Sequence, residues 1–220
     1  MRDKNIRPVA GKPLITHTIE QAFRWGKGTH VVVSTDSPAI AEVAKGCGAE
    51  VPFSRPAELS GDESPKIPVI RHALRESERI FGKEFSVVVD LDATAPLRHI
   101  SDIEGCFQKF LTVKPLTLFS VVRAHRNPYF NMVEENGEGL VSLCKSLPGV
   151  HRRQDAPQVY DMNASIYVYA REYLLDEGRK GPLSERSAVY VMEDVSGFDI
   201  DREIDLKFID ILLREGLYTP

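Results

Sequence analysis

Short apolar runs rich in β-branched residues alternate along this chain with longer stretches whose apolar residues recur at helical spacing. That alternation confines the fold to an α/β type, a largely parallel sheet wrapped by helices. Leu14, Ile15, Ile19, Ala22 and Phe23 share one helical face and Gly26 and Gly28 follow as stop signals, so the spacing predicts a helix over 14–25. Val31, Val32 and Val33 then form a run suited to a strand buried on both faces, and Pro38 opens a helix over 38–45. The same reading gives strands at 49–53, 86–90 and 117–122, with helices at 67–80 and 100–110 between them.

After Val122 the rhythm changes. Segments 129–134 and 139–144 read as two strands around the turn Glu135-Asn136-Gly137-Glu138, with Asn-Gly as the hairpin signal. This β excursion, over about 123–161, is expected to be a hairpin flap or dimerisation arm. Strands at 164–169 and 188–192 and a helix over 202–214 complete the pattern. The prolines and glycines are scattered, no repeat is present, and 220 residues make one generous domain, so residues 1–220 are read as a single domain.

Charge narrows the partners. Lys and Arg total 28 against 32 Asp and Glu, a net charge of −4, which offers no general attraction to nucleic acid or an anionic membrane. The first residues are charged with no apolar segment behind them, and no run has the length that crosses a bilayer. Cys47, Cys106 and Cys144 are odd in number and in no metal-ligand spacing, which fits a reducing cytoplasm.

In open α/β sheets the ligand lies beyond the carboxyl ends of the strands, so polar residues just after each apolar run are the candidates. Three clusters stand there: Ser34-Thr35-Asp36, Asp90-Leu91-Asp92 with Thr94 and Arg98, and Asp199-Ile200-Asp201. Two carboxylates at extended spacing project to one side, and magnesium takes hard oxygen ligands, so a D-x-D pair suggests a metal holding phosphates. The competing reading makes Asp201 the N-cap of the last helix and Asp92 part of a polar turn. Arg152, Arg153 and Gln154 form a set suited to gripping a carboxylate, or else a solvated basic turn. Neither a nucleophile elbow nor a zinc-protease motif is present, and Gly11-Lys12 lacks the spacing of a Walker A loop.

Together these segments closely resemble the cytidylyltransferases that activate sialic acid and related nonulosonic acids. The resemblance runs over nearly the whole chain through KNIRPVAGKPLITHTIEQA from Lys4, VVVSTDSPAIAEVAKGCGAEV from Val31, RPAELSGD from Arg55, DLDATAPLR from Asp90, RNPYFN from Arg126, RRQDAPQVYDMNASIYVY from Arg152 and FDIDREIDL from Phe198. It implies a nucleotide-diphospho-sugar transferase fold, CTP and magnesium, transfer of CMP to the anomeric hydroxyl of an acidic nine-carbon sugar with release of pyrophosphate, and a homodimer. The legionaminic branch looks nearer than the neuraminate one. Carried onto this sequence, Lys4, Asn5 and Arg55 match nucleotide-binding positions, and Asp199 and Asp201 the metal pair. Asp92, Arg153, Gln154, Asn163 and Tyr167 match the surroundings of the sugar. Asp92 is also a candidate general base, alongside metal activation without one.

The sequence departs from the pattern in places. Asp92 stands where neuraminate enzymes tend to carry an amide, and Asp161 where they tend to carry an arginine. The family's first strand and its glycine-serine-lysine loop have no counterpart before Lys4, which a start assigned too far downstream or a degenerate protein would explain, and the chain as given is expected to be a poor enzyme. The rival readings are a catalytically inert dimeric binding domain and an enzyme of the same chemistry for an eight-carbon ulosonic acid.

Overall fold

The computed structural model describes residues 3–61 and 63–220; Met1, Arg2 and Asp62, the last of them the end of the RPAELSGD segment, lie outside the described residues. In chain order the elements are β1 (Pro8–Val9), β2 (Lys12–Pro13), α1 (Leu14–Trp25), α2 (Pro38–Gly46), α3 (Lys66–Phe81), β3 (Val87–Leu91), α4 (Ile100–Val113) and β4 (Thr117–Arg123). There follow β5 (Val133–Glu135), β6 (Val141–Leu143), β7 (Tyr160–Ala170), α5 (Arg171–Leu175), β8 (Ser187–Val191) and α6 (Glu203–Arg214).

Local chemistry explains the boundaries. α1 ends where Gly26 turns left-handed at φ 67°. The side chain of Ser37 accepts a hydrogen bond from the Ile40 amide ahead of Pro38, so α2 opens with a capped, proline-led first turn. A small hairpin, β1 with β2, turns through Ala10 and Gly11, both left-handed at φ 48° and 84°.

The principal sheet has the order β3-β7-β4-β8. β4 and β8 are parallel, and β7 runs antiparallel to both β3 and β4, so three of the four strands point the same way. Leu118 and Val122 of β4 face a cluster with Ile103, Cys106 and Phe110 of α4. Phe119 and Val121 face the other side, against Ile67 and Leu74 of α3 and Tyr173 and Leu174 of α5. Helices therefore cover both faces, as the alternation in the sequence requires.

Three local differences from the sequence reading have physical causes. The runs at 30–34 and 49–53 do lie side by side and parallel, but they share only a bridge at Val32 and Glu50. Gly48, left-handed at φ 88°, and Pro52, which has no amide hydrogen, leave too little chain between them for a ladder. The β5–β6 hairpin is shorter than expected, and its turn uses Asn136 otherwise: the Asn136 Oδ1 accepts from the Glu138 and Leu140 amides, and Gly139, not Gly137, takes the left-handed position at φ 78°. The small helix α5 was not anticipated.

β7 carries the feature that matters most for function. Its register with β4 jumps between the pairs Phe119 with Tyr167 and Val121 with Met162, so residues 163–165 bulge out of the ladder. Ala164 sits there at φ 49°, a conformation unfavourable to a residue with a Cβ. The Ser120 hydroxyl fills the gap, accepting from the Ile166 amide at 2.9 Å and donating to Asn163 Oδ1 at 2.6 Å.

Candidate active site

At the carboxyl end of β3 the chain places Asp90 and Asp92 beside the first residue of α3. The Lys66 ammonium lies 3.0 Å from Oδ2 of each carboxylate and 4.1 Å from the centre of the Tyr167 ring. Burial alone favours a neutral lysine, yet Asp90 and Asp92 together outweigh it and hold Lys66 above the ordinary lysine range. Burial likewise pushes Asp92 up, and Lys66 more than reverses this, so Asp92 stays ionised below the usual carboxylate range. The other oxygen of Asp92, Oδ1, accepts from the Thr94 amide at 3.4 Å and hydroxyl at 3.2 Å, so the polar-turn reading of Asp92 also holds. Tyr167 is buried and its phenol is raised, first by burial.

Behind this turn lies Arg98, with no exposed surface. Its guanidinium donates to the Ser165 carbonyl at 2.6 Å, to the Thr18 hydroxyl at 3.0 Å and to the Asp92 carbonyl. Arg98 thus ties the Asp92 turn to the β7 bulge and to α1. Burial lowers its pKa to about 10, which still leaves it charged at neutral pH.

The D-x-D pair lies in the loop before α6. Ile200 is buried at 0% exposure among Leu14, Leu97 and Ile209, and the two aspartates on either side of it are left facing the site. Asp199 Oδ1 is buried with no hydrogen-bond partner among the described residues. The Asp199 carboxyl is raised, chiefly by burial and then by Asp92 and Asp201. Asp201 is exposed, with Lys4 Nζ 3.4 Å away, and the same ammonium donates to the Ile200 carbonyl at 2.6 Å. Asn5, next along, turns a buried Oδ1 inward that has no partner among the described residues.

The capping alternative for Asp201 does not hold: Asp205, one turn into α6, accepts from the Arg202 amide at 2.7 Å and the Asp201 amide at 3.3 Å. Among the described residues no group of three or more His, Cys, Asp or Glu gathers round one point. Magnesium keeps several waters and is held by one or two carboxylates plus substrate phosphates, so a carboxylate pair with an orphaned, buried oxygen fits it.

A cleft of about 370 Å³ opens beside the β7 bulge, lined by Asp161, Asn163, His125, Asp194 and Phe198 among others. Asn163 is 3% exposed, and its amide donates to the Ser196 carbonyl at 3.0 Å. The Arg153 guanidinium donates to the carbonyl of Ala124, the neighbour of His125, at 3.4 Å. Arg153 and Gln154 are exposed on a short 3-10 turn at the end of the excursion, while Arg152 pairs with Asp155 at 3.0 Å. Arg55 sits apart from this cleft, donating to the Ser34 hydroxyl at 3.2 Å and to the Ser34 carbonyl at the end of the Val31–Val33 run.

Lys4, Asp92, Asp199, Asp201 and Tyr167 are therefore linked by direct contacts or shared fields, while Asn163 lines the cleft beside the bulge and Arg153, Gln154 and Arg55 stand at the margins. Lys66 and His125 were missed as site residues, and Arg98, named in a candidate cluster, proves to be a buried clasp behind the site. The only sequence signal for Lys66 was a cation directly after Pro65, at a helix start where a carboxylate is the favoured charge.

The chain matches the cytidylyltransferase family over residues 1–209. It is 42% identical over 221 residues to a CMP-N,N'-diacetyllegionaminic acid synthase of Campylobacter jejuni, covering 100% of this chain and 92% of that protein. It is 40% identical over 215 residues to post-translational flagellin modification protein B of Campylobacter coli, covering 98% of this chain and 90% of that protein. Among solved structures, a CMP:2-keto-3-deoxy-manno-octonic acid synthetase complexed with CTP superposes with a TM-score of 0.72 at 16% identity, over 98% of this chain and 93% of that one, a likeness of fold. With the family matched over nearly its whole length and the fold shared, the chain belongs to the cytidylyltransferases.

Proposed function

We propose that this enzyme transfers CMP from CTP to the anomeric hydroxyl of a nonulosonic acid of the legionaminic or N-acetylneuraminic type, releasing pyrophosphate. The observation that carries the reading is the 42% identity, along the whole chain, to a synthase named for CMP-N,N'-diacetyllegionaminic acid. The eight-carbon alternative rests on a likeness at 16% identity, which speaks for fold and not for substrate.

In this reading Lys4, Asn5 and Arg55 hold the nucleotide, and Asp199 and Asp201 hold magnesium, which when bound supplies positive charge against the triphosphate. The sugar hydroxyl attacks the α-phosphorus in line as the bond to pyrophosphate breaks, so catalysis is positioning and electrostatics without a covalent enzyme intermediate. Asp92, held ionised by Lys66, is a weak base and a strong hydrogen-bond acceptor, so its part is to receive a hydrogen bond from the sugar. Asn163 and Tyr167 complete that wall, and Arg153 with Gln154 meets the sugar carboxylate. The exposed Met132, Val133, Leu140, Val141 and Leu143 on the β5–β6 arm support a homodimer built on it. The enzyme works in the cytoplasm, where CTP is available.

The test is pyrophosphate release with CTP, magnesium and a panel of acids. Turnover is expected with N,N'-diacetyllegionaminic acid or N-acetylneuraminic acid. Turnover confined to an eight-carbon acid, or absent with every acid, would overturn the reading.

A further inference from the structure

The Lys66 ammonium donates a hydrogen bond to Asp92 Oδ2 at 3.0 Å, pairs at 3.0 Å with Asp90 Oδ2 without the alignment of a hydrogen bond, and lies 4.1 Å from the centre of the Tyr167 ring. With both carboxylates and an aromatic face around the ammonium, the influence of Lys66 on substrate is exerted through the groups it holds. Asp90 and Asp92, two residues apart on an extended chain, project to the same side, where without a cation they would repel each other. With Lys66 between them, and with Thr94 on the second oxygen, Asp92 is confined to one orientation.

An aspartate so held can only accept hydrogen bonds, whereas an amide in its place could also donate. A ligand group that meets it must therefore be an N–H or O–H donor, and a carboxylate on the same ligand is repelled to the far side.

We propose that Lys66 is a positioning residue for the acceptor sugar: by fixing Asp92 as an ionised acceptor it makes binding depend on an N–H or O–H donor that the acid presents to Asp92. The inference rests on the sugar-binding reading above, since it needs Asp92 to face the acceptor.

The experiment is a double-mutant cycle read by calorimetry, with N,N'-diacetyllegionaminic acid and CTP titrated separately. Lys66→Met should weaken sugar binding by roughly tenfold and leave CTP binding within about threefold. In an Asp92→Asn background the same change should alter sugar binding by less than about twofold, because the group Lys66 acts through is already altered. Lys66→Gln, which keeps a donor, repeats the measurement if the methionine variant does not fold; circular dichroism and melting check each protein.

An equal loss of sugar affinity in both backgrounds, a matching loss of CTP affinity, or no loss at all would each overturn the proposal. So would the unfolding of both variants, which would make Lys66 a structural residue. A parent protein that binds neither acid sinks the functional reading as well, whereas a parent that binds while its variants are unchanged sinks this inference alone.

Discussion

Arg98 offers the sharpest test of how the site is held together. Replacing it with Met fills similar volume and removes donors to the Ser165 carbonyl, the Asp92 carbonyl and the Thr18 hydroxyl. Hydrogen bonds from a charged donor contribute about 1.5–3 kcal/mol each, so a simple sum would exceed 4 kcal/mol. Two facts reduce it. Each carbonyl keeps a second donor, the Asp92 amide at 3.1 Å for Ser165 and the Thr18 hydroxyl at 3.3 Å for Asp92. Removing a buried charge also recovers its desolvation cost. The expected loss is therefore about 2–4 kcal/mol, below the sum and above an ordinary surface change. Because Arg98, at about 10, is charged throughout the neutral range, the loss should not vary between pH 6 and 8. Urea unfolding followed through Trp25, the single tryptophan, measures it. A loss under about 1 kcal/mol would show that the clasp between the Asp92 turn and the bulge is not stabilising.

Further outcomes separate roles that the sequence left joined. Asp201→Ala should leave the melting temperature nearly unchanged, since Asp205 does the capping, while lowering magnesium-dependent turnover roughly a hundredfold; unaltered turnover would remove Asp201 from the metal site. Asp205→Asn should lower the melting temperature at neutral pH. Arg202 holds the folded carboxyl at about 2, below its unfolded value, so this contribution is full above pH about 4 and fades as pH falls toward 2; the variant should lose that slope. Arg153→Lys keeps the charge but not the fork, and should weaken sugar binding by about tenfold with CTP binding intact. If the arm is the dimer contact, sedimentation should report twice 24.7 kDa. Burial lowers the pKa of His17, whose ring nitrogen meets the Val9 carbonyl at 2.8 Å, so stability should decline as pH falls below about 6.5, and His17→Gln should flatten that decline.

The fold was legible where a single local rule decided the element. α1 was placed at its observed ends because five apolar residues mark its face and Gly26 its stop, both local signals. The bridge at Val32 and the reversed direction of β7 were not, because pairing depends on which segment arrives alongside. The arm shows the limit well. Asn-Gly was a sound reason to expect a hairpin, and the hairpin is there, but Asn136 spends its side chain on two amides and moves the left-handed residue to Gly139.

For the site, type and spacing found the carboxylates but could not find what holds them. Asp90, Asp92, Asp199 and Asp201 announce themselves by position after apolar runs, since a buried strand interior has no use for them. Lys66 lies 24 residues from Asp90, at the start of a helix whose own dipole disfavours a cation, and only the folded chain shows the two carboxylates that outweigh this. Ser120 is harder still, because a small hydroxyl in a buried strand reads as a weak position in the core. Its value comes from the jump in register opposite it, where it takes the place of the missing ladder partner and turns Asn163 toward Ser196. If that is its role, Ser120→Ala should free the Ile166 amide and Asn163 together and weaken sugar binding more than Ser120→Thr, which keeps the hydroxyl in a strand that tolerates β-branching. Equal losses in the two variants would mean that the bulge holds its shape without the hydroxyl and that Asn163 is oriented by Ser196 and Met192.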